Sequence, residues 1–343
     1  IMANMNKKLE KQYQSMTALE HIGKKPDTYI GAIEVDDLET WALNQDNTKF
    51  EHRNVKWVPG LYKCFDEAIV NARDHAIRMQ LSKEKKKHLV KNIEVSCIDG
   101  VIEIMNDGNG IDIAMHPKDK LWIPEMIFMH LRTSTNYDDE EKKLVGGKNG
   151  YGIKLVFVFA KWGEIETIDH IRKLKYTQRV ESNLSKIHPP KIEKYTGKPY
   201  TKVRWMPDYA KFGLDAMTSD IWSLLRKRAF DIAAVTSKSL KVKIQGKDID
   251  INSFGQYVDM YIGDKEDAPR ISQESDRWEC IVGLSPLDEF SQVSFVNGIY
   301  TGKGGKHVDY ITNQITKKMI EYIKRKKKIT VKATTIKEQL IVF

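Results

Sequence analysis

Two polar residues at helical spacing, Glu67 and Asn71 in FDEAIVNARDH, carry side chains suited to activating water beside a metal ion. A helix places residues four apart on one face, and Asp74 lies one turn further along. An asparagine oxygen is a good ligand for Mg²⁺, and a neighbouring glutamate can take a proton from an attacking water. The same three residues would also form the solvent-exposed face of an amphipathic helix, and the motif alone favours that interpretation.

Four glycines and a lysine precede an apolar run in LVGGKNGYGIKLVFVFA (144–160). Glycine suits loops that approach a phosphate closely, because it adopts backbone dihedrals that other residues avoid. The stretch is not a P-loop, since Ile153 stands where the lysine after the second glycine belongs, and it does not complete the G-x-G-x-x-G dinucleotide pattern. The apolar run suits a buried helix whose N-terminal amides would attract phosphate, whereas a tight structural turn explains the glycines equally well.

Two further polar segments lie between these motifs. NDGNG (Asn106–Gly110) follows a strand pattern, so it could be a simple turn or could direct a side chain into a pocket to read a base edge. RTSTNY (Arg132–Tyr137) adds hydroxyls and an amide just before the glycine loop. Each of these motifs taken alone has an ordinary structural explanation. The occurrence of the helix motif, NDGNG, RTSTNY and the glycine loop together in this order has none.

Hydrophobic periodicity predicts the elements that position these residues. Apolar residues recur at helical spacing from Leu61 to Ala76, after Pro59-Gly60, and alternate on both sides of Asp99-Gly100, which indicates a hairpin. EIETI and TKVRWMP are typical of strands. Strands joined mainly by hairpins, with helices grouped together, predict an α+β fold with the helices on one face of a sheet.

A second alternating hairpin, Leu240–Ile251, indicates the end of this unit, so we expect a domain boundary near residue 252. A helix is predicted from about His307 to the basic run KRKKK (Lys324–Lys328). Its predicted apolar face consists of Val308, Ile311, Ile315, Met319, Tyr322 and Ile323.

Composition agrees with two globular domains: the chain has 343 residues, 41% of them hydrophobic and 30% charged. The net charge of +9 favours an anionic partner such as nucleic acid or nucleotide. Three widely separated cysteines indicate free thiols in a reducing compartment. No signal peptide or apolar run of membrane-spanning length is present, so we expect an intracellular protein that does not contact membranes, and the initial Ile suggests an altered or missing N-terminus.

The ordered set E-x-x-x-N, N-D-G-x-G, T-S-T-N-Y and G-G-K-N-G-Y-G-x-K resembles the ATPase region of eukaryotic-type (type IIA) DNA topoisomerase II. That region has the GHKL (Bergerat) fold shared with gyrase, Hsp90, MutL and histidine kinases. Longer matches to type IIA enzymes are LEHIGKKPDTYIG, VPGLYKCFDE, NYDDEEKK and SFVNGIYTGKGGKHVDY, and the resemblance extends over the chain from about Tyr13.

The resemblance implies an ATP and Mg²⁺ site. Glu67 matches the general base that activates water, Asn71 the Mg²⁺ ligand, and Asn106 the residue that contacts adenine, with Gly108 and Gly110 letting the backbone pass close to the base. Implied contacts to the sugar and phosphates fall on Ser134, Thr135 and Asn136, and those of the phosphate-wrapping lid on Gly147, Lys148, Asn149, Gly150, Tyr151, Gly152, Ile153 and Lys154.

It also implies a domain plan: an N-terminal strap (1–20) that crosses to a partner protomer, a GHKL ATPase domain of helices on a mixed sheet (21–251), and a C-terminally truncated transducer (252–343) with a ribosomal S5 domain 2-like α/β fold. The expected partners are a second copy of the chain, joined on ATP binding, and double-stranded DNA. Lys324, Arg325 and Lys326 are the implied DNA contacts, although basic residues there would also simply complement the helix dipole.

Some positions depart from the family pattern. Arg73 stands where relatives have a small residue, Lys148 where they have Arg, and Thr135 where they have Ser. The transducer Q-T-K lysine, the DNA-cleaving tyrosine and the acidic metal site of the cleavage core are not found, so we expect a fragment that cannot cleave or pass DNA unaided.

The resemblance thus predicts an ATP-operated gate that captures a DNA duplex for strand passage. The alternatives are another GHKL ATPase of the MutL or Hsp90 kind, a fragment that binds ATP with little hydrolysis, and a DNA-binding module without enzymatic activity. A cellular source implies the nucleus, and a large DNA virus implies the host cytoplasm or the virion.

Overall fold

The computed structural model describes residues 16–83, 87–131 and 152–343. Two larger sheets lie in different parts of these ranges, and one buried core cluster contains residues from both parts. The residues before 254 are called the first unit here, and residues 254–343 the second unit. The first consists of helices on a large mixed sheet, and the second of a smaller mixed sheet with a long helix. The predicted α+β class is therefore confirmed. Most of the predicted strap and the segment from RTSTNY to Tyr151 lie outside the described residues.

The first unit contains five α-helices and eleven strands within the described ranges. The helices are α1 (Ala18–Lys24), α2 (Pro59–Leu81), α3 (Ile123–Met129), α4 (Gly152–Val158) and α5 (Ser219–Ala234). The strands are β1 (Asp36–Leu43), β2 (Phe50–Trp57), β3 (Asn92–Ile98), β4 (Val101–Asp107), β5 (Ala160–Asp169), β6 (Leu174–Glu181), β7 (Lys186–Ile187), β8 (Lys191–Lys194), β9 (Tyr200–Pro207), β10 (Lys241–Ile244) and β11 (Lys247–Asp248). Short 3₁₀ helices span Pro26–Thr28 and Tyr209–Phe212.

Nine of these strands form one sheet in the order β11-β10-β3-β4-β9-β5-β6-β7, with β8 beside β6. Neighbours are antiparallel except β10 and β3, which run parallel. The predicted hairpins are confirmed as β3–β4 and β10–β11. Strands β1 and β2 form a separate hairpin that packs on α5 and was not predicted.

Helix α2 begins at Pro59, whose fixed φ suits a first helical position, and it buries the predicted apolar face from Leu61 to Ala76. It packs on β4, while α4 packs on β5 and α5 on β10, so the helices cover one face of the sheet. Residues 154–158 of α4 are all buried. Helix α4 also packs against α2. The apolar surface buried between them stabilises this pair by about 25 cal/mol per Å² removed from water.

The second unit has helices α6 (Phe254–Ile262), α7 (Lys306–Lys327) and α8 (Ala333–Lys337). Its strands are β12 (Arg270–Ser275), β13 (Trp278–Leu284), β14 (Ser291–Gln292), β15 (Phe295–Val296), β16 (Ile299–Tyr300) and β17 (Leu340–Val342). The sheet order is β12-β13-β17-β14, with β15–β16 as a separate hairpin. None of the helices in the described ranges combines the length and hydrophobicity that a bilayer crossing requires.

Helix α7 confirms the helix predicted from about His307, but its buried side differs from the prediction. Val308 is buried together with Thr312 and Thr316, whereas Met319 and Tyr322 are exposed. The two threonine hydroxyls donate to carbonyls one turn earlier, those of Val308 (3.0 Å) and Thr312 (2.7 Å). Because their hydroxyls are satisfied within the helix, they can be buried without penalty.

Candidate active site

Four side chains spaced by four residues form a polar stripe along α2: Lys63, Glu67, Asn71 and His75. Lys63 Nζ lies 2.5 Å from Glu67 Oε1. Asn71 Nδ2 donates to the backbone oxygen of Glu67 at 2.8 Å, and His75 Nε2 donates to the backbone oxygen of Asn109 at 2.7 Å. The predicted pair of Glu67 and Asn71 therefore does share one helix face, within a longer stripe.

The electrostatic surroundings fix the charges at both ends of the stripe. Burial lowers the pKa of Lys63, but the charge and hydrogen bond of Glu67 outweigh it and raise that pKa above its usual value. Burial lowers the pKa of His75 by more than its bond to Asn109 raises it. Near neutral pH the stripe thus carries an ammonium group beside Glu67 and a neutral imidazole at its other end.

The start of α4 lies against Glu67. A Cβ built on Gly152 would come 1.9 Å from Glu67 Oε2, so only a residue without a side chain leaves the carboxylate in this position. One turn before Glu67, the Sγ of Cys64 lies 4.0 Å from the backbone oxygen of Leu155. The two helices are therefore in direct contact around the carboxylate.

Lys154, predicted at the end of the phosphate loop, lies in the first turn of α4 and is only 1% exposed. Desolvation lowers the pKa of its ammonium group to about 8. A buried lysine is rare, because the charged form loses its hydration. The contact of Lys154 with nucleotide phosphates stays a prediction. The neighbouring residue Ile153 packs against the core.

The NDGNG segment begins within β4 rather than after it, since Asn106 and Asp107 are the last two residues of that strand. Asn106 is buried, and its Nδ2 donates to the backbone oxygen of Asp107 at 2.9 Å, which leaves Oδ1 as the acceptor for another group. Asp107 Oδ1 accepts from the backbone amide of Asn92 at 2.9 Å. Asn109 Oδ1 accepts from the amide of His88 at 2.7 Å.

Both glycines of this segment are explained by contacts within the protein. Gly108 has φ +94°, and a Cβ there would lie 2.6 Å from Val90 Cγ2. At Gly110 a Cβ would lie 2.0 Å from the backbone oxygen of Ile168. The close approaches that require glycine are therefore to neighbouring segments of the chain, and the predicted approach to a base stays a prediction.

Asp74 does not lie on a solvent-exposed face. It is 2% exposed, so the interpretation of all three polar residues as an exposed helix face is wrong at this position. The neighbouring Arg73, one of the departures from the family pattern, is also buried and contacts the second unit. The more exposed Glu67 and Asn71 remain the side chains of this motif that a ligand can reach.

Asn71 is the residue for which the resemblance implies a contact with Mg²⁺. Among the described residues no group of three His, Cys, Asp or Glu side chains is placed to hold a metal ion. Asn71 Nδ2 is engaged with the helix backbone, so its Oδ1 is the atom that can bind a cation. One protein oxygen together with phosphate oxygens and waters fits the way Mg²⁺ is bound at nucleotide sites.

Other predicted contacts lie outside the described residues: Ser134, Thr135, Asn136, Gly147, Lys148, Asn149, Gly150 and Tyr151. The predicted DNA contacts Lys324, Arg325 and Lys326 lie in the exposed last turn of α7, in the second unit.

Sequence reasoning missed Lys63 and His75. The signal was present, because both continue the four-residue spacing of Glu67 and Asn71 in either direction.

Comparison with known proteins gives a consistent result. A family model described as DNA gyrase B matches residues 253–343. DNA topoisomerase 2 of Saccharomyces cerevisiae is 41% identical over 350 residues, which cover 97% of this chain and 24% of the relative. DNA topoisomerase 2 of Arabidopsis thaliana is 42% identical over 346 residues, which cover 98% and 23%. The chain thus spans about a quarter of the length of these relatives.

Solved structures of topoisomerase ATPase regions have a similar fold to this chain. The ATPase region of Saccharomyces cerevisiae topoisomerase II bound to ICRF-187 (dexrazoxane) has a TM-score of 0.88 and 41% identity, and the match covers 97% of this chain and 85% of that one. The 43K ATPase domain of Thermus thermophilus gyrase B shares the fold at 18% identity, with a TM-score of 0.59 over 94% and 80% of the two chains. The predicted GHKL fold is confirmed. The chain belongs to the family of ATPase regions of eukaryotic-type DNA topoisomerase II.

Proposed function

We propose that this chain binds Mg·ATP and hydrolyses its terminal phosphate, as the nucleotide-operated gate of a type IIA DNA topoisomerase. The observation that carries the proposal is the position of the Glu67 carboxylate. It is held by Lys63 on one side, touches the start of α4 on the other, and lies one turn from Asn71.

Each described residue has a role that its contacts support. Glu67 takes the proton of the attacking water, and Lys63 holds the carboxylate in place. Asn71 Oδ1 would hold Mg²⁺, and the cation would neutralise the negative charge of the nucleotide phosphates. Lys154 pairs with the phosphates, and Asn106 Oδ1 accepts a hydrogen bond from the base. The lid residues 147–151 and the segment 134–136 complete the site in this proposal.

The domain plan and the partners belong to the same proposal. Residues 21–251 form the nucleotide-binding domain, and 252–343 form a transducer. Two copies close on ATP binding, with the strap (1–20) reaching the partner protomer, and capture a DNA duplex that Lys324, Arg325 and Lys326 contact. Any contact to DNA phosphates would weaken steeply with salt, because it releases condensed counterions. The alternative is a chain that binds ATP with little hydrolysis.

Calorimetric titration with a non-hydrolysable ATP analogue, with and without Mg²⁺, tests the binding step, and phosphate release from ATP tests turnover. Saturable binding that Mg²⁺ strengthens, together with phosphate release, is the expected result. Binding without release would favour the alternative, and absence of binding would contradict the proposal.

A further inference from the structure

The turn between β15 and β16, Asn297–Gly298, lies in the motif SFVNGIYTGKGGKHVDY. Both residues have positive φ, 51° and 77°, as expected for a two-residue hairpin turn of Asn-Gly type. Such turns usually project into solvent, but Gly298 is buried against the first unit. The tip of this hairpin is therefore a contact point between the two units.

Each carbonyl of the turn accepts a hydrogen bond from a different buried arginine. Arg73 Nη1 donates to the oxygen of Asn297 at 2.9 Å, and Arg228 Nη2 donates to the oxygen of Gly298 at 2.9 Å. The guanidinium of Arg73 also packs on the turn, because a Cβ at Gly298 would lie 2.2 Å from Arg73 Cζ. The two arginines together therefore hold both carbonyls of the turn by hydrogen bonds.

Both arginines are anchored to α2. Arg73 belongs to that helix, two residues after Asn71, and its Nη2 also donates to the oxygen of Val235 at the end of α5, at 3.4 Å. Arg228 Nε donates to Asp66 Oδ1 at 2.7 Å, and Asp66 immediately precedes Glu67. Arg228 is fully buried, where a charged side chain is tolerated only when paired.

The geometry of a helix makes these anchors relevant to the polar stripe. At 3.6 residues per turn, residues two apart lie roughly 200° apart around the axis, so Arg73 lies on the opposite side of α2 from Asn71. A contact on that side, with Asp66 held beside Glu67, fixes the rotation of α2 about its axis. That rotation sets where Glu67 and Asn71 point.

We infer that Arg73 is a positioning residue for ATP hydrolysis, which locks the turn Asn297–Gly298 of the second unit onto the helix that carries Glu67 and Asn71. The inference rests on the proposed function, since it concerns the same reaction. It also explains the departure from the family pattern at position 73: the arginine adds a contact between units that a small residue cannot make.

The test compares Arg73→Ala with Arg270→Ala in steady-state ATP hydrolysis. Arg270 is a matched control because its side chain is 6% exposed against 8% for Arg73, and it also donates to a carbonyl, that of Gly263 at 2.9 Å, but within the second unit. We expect Arg73→Ala to lower kcat about tenfold with KM within about twofold, since a misplaced catalytic group slows chemistry more than binding. Arg270→Ala should lower only the melting temperature.

Two further variants separate positioning from general destabilisation. Arg73→Lys keeps one donor for the oxygen of Asn297 and should restore part of kcat, while Gly298→Ala forces the guanidinium off the turn and should reproduce the Arg73→Ala defect. In Arg73→Ala, amide hydrogen exchange over 296–299 should accelerate at least tenfold. If the wild-type chain hydrolyses ATP, the inference is overturned by an unchanged kcat in Arg73→Ala or by an equal loss of kcat in Arg270→Ala. If the wild-type chain shows no turnover, the proposed hydrolysis itself is contradicted.

Discussion

Gly152 and Glu67 touch: a single added carbon on Gly152 would lie 1.9 Å from the carboxylate oxygen Oε2. The first residue of α4 and the proposed general base are thus in van der Waals contact, across the boundary between two helices that are far apart in sequence. Gly152, the last glycine of the loop pattern, therefore has a steric role toward the proposed base, in addition to the phosphate role that the resemblance implies.

Replacement of Gly152 by Ala is expected to reduce turnover at least tenfold with little loss of stability. The added methyl would displace the end of a flexible side chain rather than backbone, so the fold should adapt, but a carboxylate moved by about 1 Å can lose up to about 10²-fold in rate. Steady-state ATP hydrolysis and thermal melting of the same preparation would check this. Full turnover in the variant would show that the carboxylate does not need its present position.

Glu67→Gln should retain ATP binding and lose turnover. Glutamine keeps the size of the side chain but cannot take a proton from water, and loss of a general base typically costs about 10²–10⁴-fold. Binding of a non-hydrolysable analogue by calorimetry and phosphate release by the variant are the two measurements. Turnover equal to wild type would refute the role of Glu67 as base.

Asn71→Ala should weaken nucleotide binding only when Mg²⁺ is present. The variant removes the Oδ1 that the structure leaves available, and the bond from Nδ2 to the backbone oxygen of Glu67 is lost with it. Titrations of analogue at several Mg²⁺ concentrations would show a flattened metal dependence. The same Mg²⁺ dependence in variant and wild type would remove Asn71 from the metal site.

Nucleotide binding is expected to be coupled to proton uptake by Lys154. Its pKa is lowered to about 8 by burial, so near pH 8 about half of the free molecules carry the neutral amine. Phosphate oxygens would raise this pKa, and binding should then take up about half a proton per site at pH 8 and almost none at pH 6.5, where the amine is already protonated.

Calorimetry of analogue binding in two buffers with different ionisation enthalpies measures this uptake at pH 8. Lys154→Met fills a similar volume without a titrating group and should abolish the difference between buffers. A buffer dependence that persists unchanged in the variant would assign the proton to another group.

Asp66→Ala should cost about 3–5 kcal/mol of folding free energy, because it leaves the fully buried Arg228 without its carboxylate partner. Chemical denaturation gives this difference directly. Glu51→Ala, which removes a solvent-exposed partner of Lys49, is the control and should change stability by less than about 0.5 kcal/mol. Equal small effects for the two variants would mean that Arg228 finds another partner.

Local patterns predicted the elements that carry the site. The apolar spacing after Pro59 predicted α2, and Asp99-Gly100 predicted the β3–β4 hairpin, because both signals depend on residues close in sequence. The spacing of Glu67 and Asn71 likewise placed them on one face. The wider assignment of the nucleotide contacts came from family resemblance, and all of these contacts remain predictions.

Long-range contacts were not predictable in the same way. Helix α5 buries Arg226, Lys227 and Arg228, charges that suggest an exposed surface when read along the chain. Arg228 pairs with Asp66 and the oxygen of Gly298, and Arg226 with Gln45 and Asn47, all of them at least 70 residues away in sequence. Lys227 pairs instead with Asp231, one turn further along the same helix. Arg73 is the same case: its spacing in α2 gives no indication of the turn that it contacts.

The close contact between α2 and α4 also buries a native thiol, whose reactivity depends on whether the two helices stay together. Cys64 is 2% exposed beneath Leu155, and burial raises the pKa of its thiol well above the ordinary value. A maleimide can react with this thiol only when the helices separate and the sulfur ionises. The rate of alkylation at Cys64, resolved by peptide mass spectrometry from that of the more exposed Cys97 and Cys280, therefore measures how often the two helices separate next to the proposed base.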